Sequence, residues 1–176
     1  MIDHLKAHAV RKDGPFTLRS GEVSDWYIDA RQSTFDGEGA ALVGAAIAGL
    51  IDPTVDAVGG MTMGADPISI AVAIAASQSG RRLQAFSIRK TDKDHGTGGR
   101  LVGPVERGDR VAVVEDTTTT GGALLEAVDV LEDNGVVVLQ AISLVDRSGG
   151  VVAGRIGERG IAYIPLTTPA DLGVEA

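Results

Sequence analysis

Two adjacent carboxylates, Glu115 and Asp116, close an apolar β-branched run from Val111 to Val114, and Thr117, Thr118, Thr119, Thr120, Gly121, Gly122 and Ala123 follow them. The run reads as a buried strand, and the spacing from Ala123 to Asn134 as a helix that opens near Gly122. Free N–H groups at a helix start, the positive end of its dipole and the threonine hydroxyls suit a phosphate, and the glycines let the backbone approach closely. Carboxylates repel phosphate, so the two acids beside such a cradle have another task. They can accept hydrogen bonds from sugar hydroxyls or hold the waters of a Mg²⁺ ion. Together these features describe a ribose 5-phosphate site at the carboxyl end of a parallel strand, where open α/β sheets bind ligands. Neither a Walker A G-x-x-x-x-G-K-[ST] nor a dinucleotide G-x-G-x-x-G occurs.

A second cluster carries the opposite charge. Arg89, Lys90, Lys93 and His95 lie on a stretch that ends in Gly96, Gly98 and Gly99. Several donors on a glycine-terminated loop suit a polyanion such as pyrophosphate. His4 and His8 have the i, i+4 spacing of a helical metal pair, but no third ligand is near in sequence, and they read as an exposed helical face.

Those residues need a scaffold. Val55 to Val58, Gln84 to Ile88, Arg110 to Val114, Val136 to Val145 and Ile161 to Ile164 read as short buried strands. Gly37 to Ile51, Ala65 to Ser79 and Ala123 to Asn134 carry helical spacing, with Asn134-Gly135 as a helix stop. Such alternation implies an α/β fold, a mostly parallel sheet covered by helices on both faces. Ahead of it, Asp3 to Arg11 is amphipathic, while Phe16 to Leu18 and Trp26 to Ile28 are strand-like. These pieces, about residues 1–35, read as a small N-terminal hood within a single domain spanning 1–176. Residues 89–108 lack apolar periodicity and read as one long functional loop. Gly149 to Gly160 is compatible with a short helix or a crossing loop.

Composition narrows the function further. With 16 Lys+Arg against 24 Asp+Glu, the 176 residues carry a formal charge of -8. That balance disfavours a general nucleic-acid or anionic-membrane binder, which needs a basic face. The basic residues are uneven, however: Arg81, Arg82, Arg89, Lys90, Lys93, Arg100, Arg107 and Arg110 are half of the 16. At physiological salt the Debye length is roughly 8 Å, so a local anion site survives on an acidic protein. Cysteine is absent, which excludes disulfides, thiolate metal sites and a cysteine nucleophile and suits a reducing cytoplasm. No secretory signal pattern opens the chain and no apolar run reaches the ~18 residues of a membrane span, so a cytoplasmic location is expected.

The segment Arg110 to Ala123 resembles the phosphoribosyl-pyrophosphate (PRPP) motif of the type I phosphoribosyltransferases. Three further stretches narrow the resemblance to the orotate phosphoribosyltransferases: Phe16 to Gly21 with Trp26 to Arg31, Arg89 to Gly99, and Ile142 to Arg147. The resemblance implies the type I phosphoribosyltransferase fold and a Mg²⁺-dependent transfer of phosphoribosyl from PRPP to orotate. The products are orotidine 5′-monophosphate and pyrophosphate, in pyrimidine synthesis. It implies that Lys93, His95 and Asp116 are catalytic, and that Arg89, Lys90, Glu115 and residues 117–123 bind PRPP. Arg19, Tyr27, Ile28, Thr119 and Arg147 would contact orotate. Mg²⁺ would be held mainly by PRPP and water, with Asp116 reaching it through water. Thr62, Met63 and Gly64 resemble the pyrophosphate loop, and Met63 stands where many members carry lysine, which leaves that contact to backbone N–H groups. A homodimer is implied, with loop residues shared across subunits. A transferase for another base, or a non-catalytic PRPP-sensing regulator, are the alternatives; the regulator would need a basic face or an added binding segment.

Lys93→Ala is predicted to lower turnover by orders of magnitude and leave the fold intact. Steady-state kinetics beside a far-UV spectrum check this, and near-normal turnover would remove the loop from the mechanism.

Overall fold

The computed structural model describes residues 1–17, 21, 23–92 and 99–174. Its elements are α1 (Ile2–His8), β1 (Val10–Arg11), β2 (Phe16–Thr17), β3 (Val23–Ser24), β4 (Tyr27–Ile28), α2 (Arg31–Thr34), α3 (Gly37–Ala48), β5 (Ala57–Met61) and α4 (Ala65–Gln78). They continue with β6 (Gln84–Ile88), β7 (Leu101–Val102), β8 (Arg110–Thr118), α5 (Gly122–Asp133), β9 (Val137–Asp146), α6 (Val151–Gly157) and β10 (Ala162–Thr167).

Six strands form the central sheet in the order β10-β9-β8-β5-β6-β7. All neighbours are parallel except β7, which runs antiparallel to β6. Strand pleating sends alternate side chains to opposite faces. Thus Ala112 and Val114 of β8 pack with Val43 and Ile47 of α3 and Ile68 and Val72 of α4. Val111 and Val113 pack instead with Leu124, Val128 and Leu131 of α5 and Val152 and Ile156 of α6. The apolar stripe of α5 at 124, 127, 128 and 131 is the i, i+3, i+4, i+7 pattern of a helix with one buried face. Both faces of the sheet are therefore covered, as the alternation of elements required.

The N-terminal pieces form two small antiparallel ribbons, β1 with β4 and β2 with β3. Leu5, Ala9 and Ile28 anchor them in the α3/α4-side core. His4 departs from the expected exposed face. Its side chain is only 8% accessible, and its ring nitrogens lie 3.1 Å from both Ser33 Oγ and Asp36 Oδ1. The helix spacing was correct, but α2 and the start of α3 cover that part of α1. Asp36 also caps α3 by accepting from the Glu38 and Gly39 N–H groups.

The long loop also departs from expectation. Leu101–Val102 is an edge strand, with Ile88 opposite Leu101 and Ser87 opposite Val102, and the Arg89 N–H donates to the Arg100 carbonyl at 2.9 Å. Leu101 and Val105 pack against the α5-side core, which a two-residue apolar signal was too short to announce. The strand β5 begins and ends later than its apolar run, because Gly59, Gly60 and Met61 pair with Phe86, Ser87 and Ile88. The glycine-rich stretch after Ser148 resolves in favour of a helix, α6. No helix among the described residues is long and apolar enough to cross a membrane.

Candidate active site

The chemistry-bearing residues gather at the carboxyl ends of β5, β6, β8 and β9. Strand β8 runs to Thr118, further than the apolar run alone suggested, because Thr117 and Thr118 pair with Val145 and Asp146 of β9. The turn into α5 is therefore only Thr119 to Gly121. Gly121 holds φ +76° as the N-cap of α5, a left-handed conformation that side-chain-bearing residues avoid. No side chain caps α5 among the described residues, so the N–H groups of its first turn face outward for an anion.

Two cavities meet at this turn. The smaller, about 380 Å³, is bounded by Glu115 and residues 117–124. The larger, about 580 Å³, is bounded by Thr62, Met63, Gly64, Lys90, Glu115 and Asp116, with Arg31, Met61, Ala123 and Glu126 completing its wall. Glu115 and Ala123 belong to both. The pleat sends Glu115 and Asp116 to opposite faces, yet both border the larger cavity, where β8 is no longer paired with β5 beyond Val113. Asp116 sits against Gly64, where an added Cβ would lie 2.7 Å from Oδ1, so the loop before α4 needs a glycine to leave room for the carboxylate.

The two acids differ in state. Glu115 is 9% exposed and its Oε2 has no hydrogen-bond partner among the described residues. Burial first, and the neighbouring Asp116 charge second, push its pKa up to about 9, against a smaller opposing pull from Lys90. At neutral pH Glu115 is thus a protonated acid, while the half-buried Asp116 accepts from the Thr117 N–H at 2.7 Å.

Not every candidate points into these cavities. Thr118 is buried, and its hydroxyl lies 2.9 Å from Ser143 Oγ, 3.1 Å from Tyr163 OH and 3.3 Å from Asp146 Oδ1. It holds the sheet end together, so its hydroxyl is not a phosphate donor as expected. Thr62 also turns away: its hydroxyl donates to Asp66 at 2.7 Å, and Ser87 donates to the other oxygen of Asp66 at 2.6 Å. What the loop offers an anion comes from the backbone around Met63 and Gly64. Ile28 is 4% exposed in the core, which removes its side chain from the expected orotate contacts. In a hood strand of two residues, one side chain must anchor while the other stays at the surface.

Lys90 lines the larger cavity, whereas Arg89 is half-buried with its backbone in the β6–β7 ladder and lines neither. Thr119, Thr120, Gly122 and Ala123 are exposed on the smaller cavity. Arg147 follows β9, donates its N–H to the Thr118 carbonyl at 2.8 Å and places its guanidinium 4.6 Å from the centre of the Trp26 ring. Tyr27 is half-buried beside Phe16, ring centres 5.8 Å apart. Arg19, Lys93 and His95 lie outside the described residues.

Arg31 and Glu126 were not among the sequence candidates. Glu126 is paired with Arg100, whose Nε donates to the Arg89 carbonyl. A lone Arg after a hood strand and a Glu one turn into a helix carry no local signal; only tertiary folding brings them to the cavity.

Among the described residues no cluster of three His, Asp or Glu side chains forms a metal cage. The carboxylate oxygens of Asp116 fit a Mg²⁺ ion that keeps most of its shell as water and substrate phosphate, which is how that ion is commonly bound.

A phosphate cradle, two strand-end acids and a cation-bearing second cavity on this sheet are the marks of a type I phosphoribosyltransferase. No protein-family model matches the chain. The orotate phosphoribosyltransferase of Streptomyces coelicolor is 43% identical over 176 residues, covering 99% of this chain and 96% of the relative. That of Rhodopirellula baltica is 36% identical over 183 residues, covering 99% and 93%. The crystal structure of Mycobacterium tuberculosis orotate phosphoribosyltransferase in complex with PRPP superposes with a TM-score of 0.82 at 34% identity, over 98% of this chain and 96% of that one. The chain belongs to the orotate phosphoribosyltransferase family.

The buried acid has a thermodynamic consequence. A folded-state pKa above the unfolded value means the native protein binds the extra proton, so stability falls as pH rises from about 4.5 towards 9. Glu115→Gln removes this dependence. Thermal melts of the ligand-free protein between pH 5 and 9 should show the variant gaining on the wild type as pH rises, and parallel pH profiles would refute the assignment.

Proposed function

We propose that this protein transfers the phosphoribosyl group of PRPP to orotate with the help of Mg²⁺, forming orotidine 5′-monophosphate and pyrophosphate. The junction of the two cavities at Glu115 and Ala123 carries this reading. A ligand with its 5′-phosphate at the start of α5 would lay its ribose across Glu115 and Asp116 and its diphosphate in the cavity that holds Lys90 and the Met63–Gly64 backbone.

The reaction breaks the bond between the ribose anomeric carbon and the diphosphate oxygen, which leaves with the electron pair, and forms a bond from that carbon to a ring nitrogen of orotate. Positive charge grows on the ribose and negative charge on the leaving group. The task of the protein is therefore mainly positioning and electrostatics. Asp116 accepts from the ribose hydroxyls and faces the growing cation. Glu115 sits at the same diol, and a ribose hydroxyl supplies the partner its Oε2 lacks. Thr119, Thr120 and the N–H groups from Gly121 to Ala123 hold the 5′-phosphate. Lys90, with Lys93 and His95 of the adjoining segment, offsets the charge of the departing diphosphate. Asp116, through water, would help the ligand's phosphates hold a Mg²⁺ ion, which would supply further neutralisation of that charge. Arg147 and Tyr27 with Arg19 orient the orotate carboxylate and ring.

A second copy of the chain completes the proposed assembly. Ile70 and Ile74, one turn apart on α4, are 54% exposed, and Met63 just ahead of the helix is 56% exposed. This apolar strip leads straight out of the pyrophosphate loop, so a partner covering it would stand beside the active site. The proposed location is the cytoplasm, where a cysteine-free chain needs no oxidising environment.

Purified protein given orotate, PRPP and Mg²⁺ should consume orotate, seen as a loss of its absorbance, and chelating the metal should stop the loss. Asp116→Asn should raise the KM for PRPP and lower turnover with less effect on the KM for orotate. Preference for a different base in the same mixture would overturn the assigned substrate.

A further inference from the structure

Arg31 opens α2 at the edge of the hood, and it borders the larger cavity together with Met63 and Gly64. Asp29 braces it: the Arg31 Nε donates to Asp29 Oδ1 at 2.7 Å, and Asp29 also accepts from the Arg31 N–H and the Gln32 amide. Among the described residues this is the only hydrogen-bonding partner of the guanidinium. The Nε contact sets the plane of the group and leaves the Nη1/Nη2 end as a fork, the geometry that grips phosphate oxygens in pairs.

Two cations, Arg31 and Lys90, line this cavity, and of its three acids Glu126 is paired with Arg100. The Asp29 hydrogen bond and charge first, and the Asp116 charge to a smaller degree, favour the cationic form of Arg31. The 5′-phosphate cradle is the other cavity, which Arg31 does not touch. On the outer side of Arg31 lie Asp29 and Asp36, which repel anions, so the fork has its use on the inner side.

We propose that Arg31 is a diphosphate-binding residue of this protein, supplying from the hood a cation that the apolar Met63 side chain does not supply from the loop beneath. This deepens the function proposed above and rests on it for the identity of the diphosphate.

Calorimetric titration with pyrophosphate and, separately, with ribose 5-phosphate, each with Mg²⁺, tests this on the wild type, Arg31→Gln and Arg31→Lys. Loss of charge-assisted hydrogen bonds should weaken pyrophosphate binding in Arg31→Gln by about 10- to 100-fold. Arg31→Lys, which keeps charge without the fork, should fall between. Ribose 5-phosphate should bind all three within about twofold, since Arg31 is outside its cavity. Equal pyrophosphate affinity in the three proteins, or parallel weakening of both probes, would overturn the inference. Titration reads binding without turnover, so a wild type that consumes no orotate would sink the proposed activity and leave this result standing.

Discussion

Two carboxyl groups held side by side at the end of a buried strand repel each other, and one of them has lost most of its water. The structure accommodates Glu115 and Asp116 by keeping a proton on the first and leaving the second half-exposed against Gly64 and the Thr117 N–H. The buried Oε2 of Glu115 has no hydrogen-bond partner among the described residues. Leaving a buried polar atom unpaired costs about 1–3 kcal/mol, so a ligand that brings hydroxyl donors relieves a penalty already built into the fold. The surrounding cations and the helix N–H groups do the work of attracting phosphate.

The ends of β8 and β9 must stay in register for that pair to sit correctly. Thr118, Ser143, Asp146 and Tyr163 form a buried polar knot that joins three parallel strands, and burial raises the Tyr163 pKa so that its phenol stays protonated. The carbonyl of Thr118 takes the Arg147 N–H, and Asp146 takes the Ser148 N–H. The phosphate turn and the guanidinium stacked on Trp26 are consequently attached to the same rigid point. Asp66 does the same for the neighbouring loop, tying Thr62 to Ser87 of β6. Side chains whose types suggested ligand contacts thus spend their hydroxyls on holding the backbone that makes them.

A chain with a formal charge of -8 serving a polyanion is less contradictory than it sounds. Surface acids are screened by salt beyond roughly 8 Å, whereas Lys90 and the α5 N-terminus act at contact distance. Ion pairs such as Arg159 with Asp129 and Glu132 lie on exposed surfaces and contribute little.

By itself the sequence determined the strand–helix alternation, the phosphate turn and the paired acids, because each is written in local spacing: period-two and period-3.6 apolar patterns, a Thr/Gly turn, and acids at a strand end. It did not determine which hydroxyls would be free. Thr118 and Thr119 are neighbours of identical type, and only the pairing of Thr118 with Asp146 across the sheet turns one inward and leaves the other exposed. Nor could it place Arg31 at the cavity or bury His4, since both outcomes depend on how α1 and α2 pack against segments distant in the chain. Tertiary structure decided these because side-chain availability is a matter of what lies opposite in space, and spacing along one segment carries no information about its partner.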